Sequence, residues 1–382
     1  LKIINFSVIL FVIGTVMPAI SLSDYLNIPF EREIFKGLGV VFIFSSLAIL
    51  LLTGRYNLKN YNLQIILFAL TLPFIFALSA TIYDFEGSLV QWLRFITVIF
   101  IVLFLSLLAE EELVYALRIY CYLALILALI SLYQYLTGYP AYEKFPVINI
   151  RSNKSIIFEQ NVFGLYMYMS FLIYGLVYKN VLRRGLVNLS YLFGMFISFY
   201  RTVYAFIIIR FAFKHLLLSL SILFVISIMW VSYFYSVGSL LNEILKLEQA
   251  NTLTGRNILW TIALEAFYSS PIIGLGENAI PEFSNAVLNR NPPYTTYHSV
   301  IFDVLATSGI LGFLALTFLF VYILFSIRVD HRFLYLLLIA PSLLNTYYAF
   351  MPNPLGGILG VFIFYSIASK RNSIHCEKTK SF

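Results

Sequence analysis

The sequence predicts an all-α protein: a polytopic membrane helix bundle of about 12 transmembrane helices, with one large extracytoplasmic loop containing short amphipathic helices. Three observations carry that expectation. Of 382 residues, 61% are hydrophobic and only 11% are charged, whereas soluble domains carry roughly 25% charged residues. Apolar runs of spanning length recur along the chain, where a membrane barrel would show strands of about ten residues alternating in polarity. Polar residues collect in a single long interval late in the sequence, between 238 and 297.

Taken in order, the apolar runs fall at 3–22, 34–52, 63–82, 89–109, 113–136 and 156–178, then at 186–199, 202–213, 216–237, 298–327, 333–350 and 355–369. The first has no small-residue cleavage pattern and is expected to be a retained helix, not a signal peptide. The pair at 186–199 and 202–213 is short, so a re-entrant hairpin is an alternative to two crossings. The expected organisation is helices one to nine over 1–237, an extracytoplasmic catalytic loop over 238–297, helices ten to twelve over 298–369, and a cytoplasmic tail over 370–382.

Charge sets the orientation. With the N-terminus in the cytoplasm, the inside connections carry Arg55 and Lys59, Lys179 with Arg183 and Arg184, Arg210 and Lys214, Arg328 and Arg332, and the basic tail, as the positive-inside rule requires. Asp24, Glu31, Glu33, Asp84, Glu86 and Glu143 fall outside. Glu110-Glu111-Glu112 runs against the trend, but acids count little in that rule. The net charge of +7 therefore mixes two sides of a membrane and gives no sign of a nucleic-acid partner. Cys121 and Cys376 have no metal-ligand spacing and carry no assigned role.

This orientation puts 238–297 outside the cytoplasm. Within it, Leu240–Leu247 shows helical apolar spacing, and a second short helix is expected over Asn257–Phe267 with Thr254 as N-cap and Trp260 one turn in. Both are expected to lie on the membrane face. Ser269-Ser270-Pro271 ends the second helix, Gly274 and Gly276 permit a tight backbone path, and Pro281 is suited to open a third helix over 281–288.

A charge at membrane depth is costly and calls for a reason. Arg201 sits in Ser198-Phe199-Tyr200-Arg201 at the outer end of the short pair; its readings are a snorkelling interface arginine or an anion contact in a wet cavity. Arg256 opens the loop helix, where free backbone N–H groups and a guanidinium fork suit a phosphate; the plainer reading is a solvated surface arginine. Arg94 lies about one turn inside helix four, snorkelling or touching a pyrophosphate. His298 stands where helix ten begins, either packed at a helix start or poised to accept a proton from a hydroxyl. Asp303 is a weaker candidate for orienting it. His215, His331 and His375 fall in basic loops or the tail and are read as incidental. Glu159, Gln160 and Asn161 open helix six, with Asn161 either its cap or part of a sugar site.

No Walker loop, dinucleotide glycine fingerprint, His-Glu-x-x-His motif or Cys/His cluster occurs, so nothing in the sequence indicates nucleotide, redox or zinc chemistry. The outer loops also lack paired carboxylates at a recognisable spacing.

Several blocks resemble the O-antigen ligase/polymerase family, multi-pass transferases of the GT-C type. Thr254-Gly255-Arg256 through Trp260, with Pro271 and Gly274-Leu275-Gly276, is similar to its signature loop. Tyr297-His298-Ser299 through Ser308-Gly309-Ile310-Leu311-Gly312 is similar to its histidine block, with Ser299 where the family usually has asparagine. Ser198-Phe199-Tyr200-Arg201 resembles its Ser-x-Ser-Arg element, with Tyr200 replacing the second serine, and Gln160-Asn161-Val162-Phe163-Gly164 its asparagine-containing helix start. The resemblance implies a glycan donor on a polyprenyl pyrophosphate, an acceptor that is a lipid, glycan or protein, membrane lipids around the site, and a multi-pass place in the cytoplasmic (inner) membrane with the active site on the extracytoplasmic face. It implies His298, Arg256 and Arg201 as catalytic residues, Asn161, Arg94, Gln160 and Trp260 as substrate contacts, and neither metal nor cofactor. A ligase and a repeat-unit polymerase are both compatible; a lipid-glycan transporter is the rival from another class, expected to show discontinuous helices or internal repeats near mid-membrane.

Overall fold

The computed structural model describes residues 2–21, 31–54, 56, 63–83, 85–137, 155–157, 159–178, 181–198, 203–204, 206–207, 210, 256–276, 297–344, 347 and 349–380. The described chain is helical: α1 (Lys2–Val16), α2 (Glu31–Thr53), α3 (Leu63–Tyr83), α4 (Phe85–Leu107), α5 (Glu110–Thr137), α6 (Gln160–Val177), α7 (Val181–Ile197), α8 (Arg256–Ser269), α9 (Val300–Ser326), α10 (Val329–Ile339) and α11 (Pro354–Lys380). Among the described residues six helices are long and apolar enough to cross a membrane: α1 with its 3-10 extension, α2, α3, α4, α5 and α9. The expected count of about twelve is not reached within them; the run at 216–237 and the expected loop helices at 240–247 and 281–288 lie outside the described residues.

Two compact units are present, one formed by Leu1–Ile20, Phe30–Tyr120 and Ile258–Phe382, the other by Ser21–Pro29 and Cys121–Asn257. In the first, α1 packs on α2, α2 on α4, α4 on α3, and α3 on α9. The α1/α2 crossing is close because glycines meet: a Cβ on Gly14 would stand 2.8 Å from the Gly39 carbonyl oxygen. Small residues at a crossing allow backbone proximity and dispersion contact where the hydrophobic effect offers nothing between helices in lipid. Helix α11 packs against α1, α4 and α10, and Ile358, Leu359, Val361, Phe362, Ile363 and Phe364 are all buried. A helical stretch that is apolar around its circumference belongs inside a bundle, and here it sits there.

In the second unit α6 packs on α7. Gly194 of α7 faces Met167 and Phe163 of α6, and the Tyr191 hydroxyl donates to the Cys121 carbonyl at 2.7 Å.

One expected crossing is different in kind. The run at 333–350 forms the 11-residue α10 followed by a 3-10 turn, Ala340–Leu344. Pro341 explains the stop, since it has no N–H for the bond to the residue four back.

Candidate functional site

The site is built around a helix that breaks. Helix α9 runs 27 residues but carries Gly309 at φ 60°, ψ −157°, outside helical space. At this point the segment after α8 enters the backbone ladder. The Leu275 N–H donates to the Ala306 carbonyl at 2.9 Å and the Gly276 N–H to the Thr307 carbonyl at 3.1 Å, while the Ile310 and Leu311 N–H groups donate to the Pro271 and Ile272 carbonyls at 2.8 and 3.2 Å. An unbroken helix would pair Ile310 with Ala306 and Leu311 with Thr307. Both bonds are opened and replaced by four to the inserted segment. The Ser79 hydroxyl of α3 adds a further bond to the Thr307 carbonyl at 2.8 Å. Unsatisfied backbone in hydrocarbon costs several kcal/mol per group, so this exchange is what permits the break.

Glycine is required on both sides of it. A Cβ on Gly274, at φ 68°, would lie 2.2 Å from the Ser308 nitrogen; one on Gly309 would lie 2.5 Å from the Ile272 carbonyl carbon. The Gly274-Leu275-Gly276 and Ser308-Gly309 blocks, distant in sequence, thus form one joint.

The joint fixes α8. Leu259, Ile262, Ala263 and Ala266 are buried with Tyr297 and Ala306, and Leu275 and Phe302 pack against the cluster. Trp260, near the start of α8, stacks on Phe302 with ring centroids 4.9 Å apart, while Pro271, just past its end, meets Ile310. Helix α8 therefore lies beside the first three turns of α9. The expectation that it rests on the membrane face is corrected: its apolar stripe is consumed by α9, leaving Ile258 and Tyr268 exposed.

His298 precedes α9, whose N-cap is Ser299. It is half-buried and adopts φ 53°, the left-handed region that costs a non-glycine residue about 1–2 kcal/mol. Neighbouring groups grip the backbone of the preceding residue, Tyr297. The Tyr297 N–H donates to Asp303 Oδ1 at 2.7 Å, and Trp260 Nε1–H donates to the Tyr297 carbonyl at 3.2 Å. Asp303 is buried in the first turn of α9, where the helix macrodipole favours an anion. Tyr297 is fully buried, with no hydrogen-bond partner for its hydroxyl among the described residues; burial, and after it the Asp303 charge, push the phenol up.

The structure thus brings His298, Trp260 and Asp303 together. Arg256 is the first residue of α8; its side chain, like that of Gln160, is not described, and Arg201 lies outside the described residues. Arg94 is exposed on α4 beside Leu93. Asn161 is half-buried inside α6, whose N-cap is Glu159, so the capping explanation for Asn161 does not hold. Reading residues singly missed the helix break and the Tyr297 peptide. The paired glycine blocks were the available signal for the first.

A helical bundle with several spanning helices, one of them broken and stitched to a short helix, defines an integral membrane protein. The family model for O-antigen ligase matches residues 168–317, which take in α7, α8, His298 and the Gly309 break. Over those residues the chain is similar to the O-antigen ligase domain, which supports an assignment to the O-antigen ligase/polymerase family, membrane enzymes of the glycosyltransferase type. No curated protein matches the chain.

Proposed function

We propose that the protein transfers a glycan from a polyprenyl-pyrophosphate carrier to a lipid or protein acceptor on the extracytoplasmic face of the cytoplasmic membrane, in a single inverting step without a metal ion. The observation that carries this reading is His298, a non-glycine residue in the left-handed region within the matched family domain. Strain of that kind persists only where surrounding structure enforces it, and it concentrates at working sites.

His298 acts as general base. It takes the proton from the acceptor hydroxyl as that oxygen attacks the anomeric carbon. The bond from that carbon to the pyrophosphate oxygen breaks, and the polyprenyl pyrophosphate leaves with the electron pair, inverting the centre. Arg256, at the helix start, and Arg201 bind the pyrophosphate and stabilise the charge that grows on it; Arg94 adds a further contact. Asn161, Gln160 and Trp260 contact the sugar. The arginines supply the electrostatic role a divalent cation would otherwise fill.

One observation bears on the transporter reading, since α9 is discontinuous, as transporter helices often are. Transporters use the groups freed by such a break to hold ions or substrate, whereas at Gly309 they are bonded to Pro271, Ile272, Leu275 and Gly276. This favours the transferase.

The test follows glycan transfer in membranes containing the host's own lipid-linked glycan. Arg256→Lys, Arg201→Lys and His298→Ala are each expected to lower turnover, and excess chelator to leave it intact. Unchanged turnover in all three would sink the proposal, and loss in chelator restored by magnesium or manganese would sink its metal-free part. A ladder of lengthening lipid-linked chains would identify the repeat-unit polymerase instead of the ligase.

A further inference from the structure

We infer that Asp303 and Trp260 are positioning residues: they aim His298 through its backbone, by holding the residue before it, Tyr297, at both its N–H and its carbonyl. This rests on reading His298 as the base.

The direction in which a side chain leaves the backbone is set by φ and ψ. At φ 53° the imidazole projects differently from that of a histidine at ordinary negative φ, and relaxation to the favoured region would swing the ring away from its present place. A fixed geometry here needs a restraint on the backbone of the preceding residue. The Tyr297 N–H is held by the Asp303 carboxylate at 2.7 Å, the length of a charge-assisted bond. The carbonyl of the same residue is held by the Trp260 indole at 3.2 Å. Neither restraint floats. The Asp303 N–H donates to the Ser299 carbonyl at 2.9 Å, so the carboxylate is carried by the turn that begins at the N-cap. Trp260 is stacked on Phe302, and α8 is tied to α9 by the four bonds of the break. The break at Gly309 thereby serves His298 at a distance, holding α8 in the register that lets Trp260 reach the Tyr297 carbonyl.

A backbone role and an electrostatic role for Asp303 predict different things. An amide oxygen accepts a backbone N–H nearly as a carboxylate does, so Asp303→Asn preserves the clamp, whereas Asp303→Ala removes it. A misplacement of about 1 Å at a reacting group costs on the order of 100-fold in rate. With extracted lipid-linked glycan as the varied donor, we expect Asp303→Ala to lower kcat on the order of 100-fold with little change in the donor KM, Asp303→Asn to restore most of it, and Trp260→Phe, which keeps the stacking and removes the N–H, to fall between. Thermal melting of the purified protein in detergent identifies any variant whose loss is unfolding; Asp303→Asn and Trp260→Phe are conservative enough to test the inference if Asp303→Ala melts early.

The outcomes separate. Full activity in His298→Ala overturns the base reading and this inference with it. An inactive His298→Ala beside a fully active Asp303→Ala or Trp260→Phe overturns the clamp alone. So does an Asp303→Asn as slow as Asp303→Ala, because the charge would then act directly.

Discussion

Two histidines near helix starts give opposite lessons. His331 is 6% exposed, its Nδ1 lies 2.8 Å from the Ser366 hydroxyl, and its ring stacks on Tyr365 at 5.6 Å. Its backbone is ordinary helix, with its N–H on the Arg328 carbonyl. It belongs to α10, which corrects its expected place in a basic loop. His298 is less buried, lies outside any helix and has a strained backbone. At His331 the side chain is fixed and the backbone relaxed; at His298 the backbone is forced and the residue before it is held at its N–H and its carbonyl. Burial and side-chain bonding mark a histidine that stabilises. Enforced backbone strain beside an incompletely buried ring is what supports the proposal of chemistry at His298.

The comparison breaks most directly by activity. His298→Ala is expected to reduce glycan transfer by about 10²–10⁴-fold, the range for loss of a general base, while His331→Ala keeps turnover within a few-fold and lowers the melting temperature. Equal losses in the two variants would erase the distinction. Next in size is the joint that supports His298. Gly309→Ala or Gly274→Ala combines left-handed strain with overpacking and should destabilise by about 3 kcal/mol, read as melting in detergent. Gly37, in α2, has nothing within 4 Å of the place a Cβ would occupy, and Gly37→Ala should be neutral or stabilising by up to about 1 kcal/mol.

Smaller effects sharpen it further. Glycine accepts positive φ without cost, so His298→Gly should melt above His298→Ala, by about 1 kcal/mol of stability. Burial, then the Arg328 charge, holds the His331 imidazole below its ordinary value, with Asp330 partly opposing. Its neutral form is the one folding favours, so its stabilisation is complete above about pH 6.5 and is lost as pH falls below that value. The melting temperature should therefore drop between about pH 7.5 and pH 5.5, by roughly 3 °C or less, and His331→Asn should flatten that slope.

The membrane class, the run of helices α1 to α6 and the place of His298 just before a helix were legible in the sequence because each rests on local signals: apolar run length and the polar residues at a helix start. The resemblance to the O-antigen ligase family was legible too, and the family model matches residues 168–317. Other features were not. Composition cannot distinguish a spanning run from one stopped by Pro341 and finished as a 3-10 turn. Nor could it show that Glu159, and not Asn161, is the N-cap of α6, because both are polar residues at the same boundary.

What the sequence determined by itself is the solvent this protein lives in and the segments that cross or approach it, since transfer free energy is summed residue by residue along the chain. Only the tertiary structure decided what those segments do to one another. Gly274 reads in the sequence as part of a tight backbone path and Gly309 as one residue of a family-like block; together they are a seam in which one backbone replaces the hydrogen bonds of another. Asp303 reads in the sequence as a weaker candidate for orienting His298 and Trp260 as a substrate contact; in the fold they hold the two backbone groups of Tyr297. Hydrogen bonds between residues tens of positions apart depend on distance and angle, and those exist only once the chain is folded.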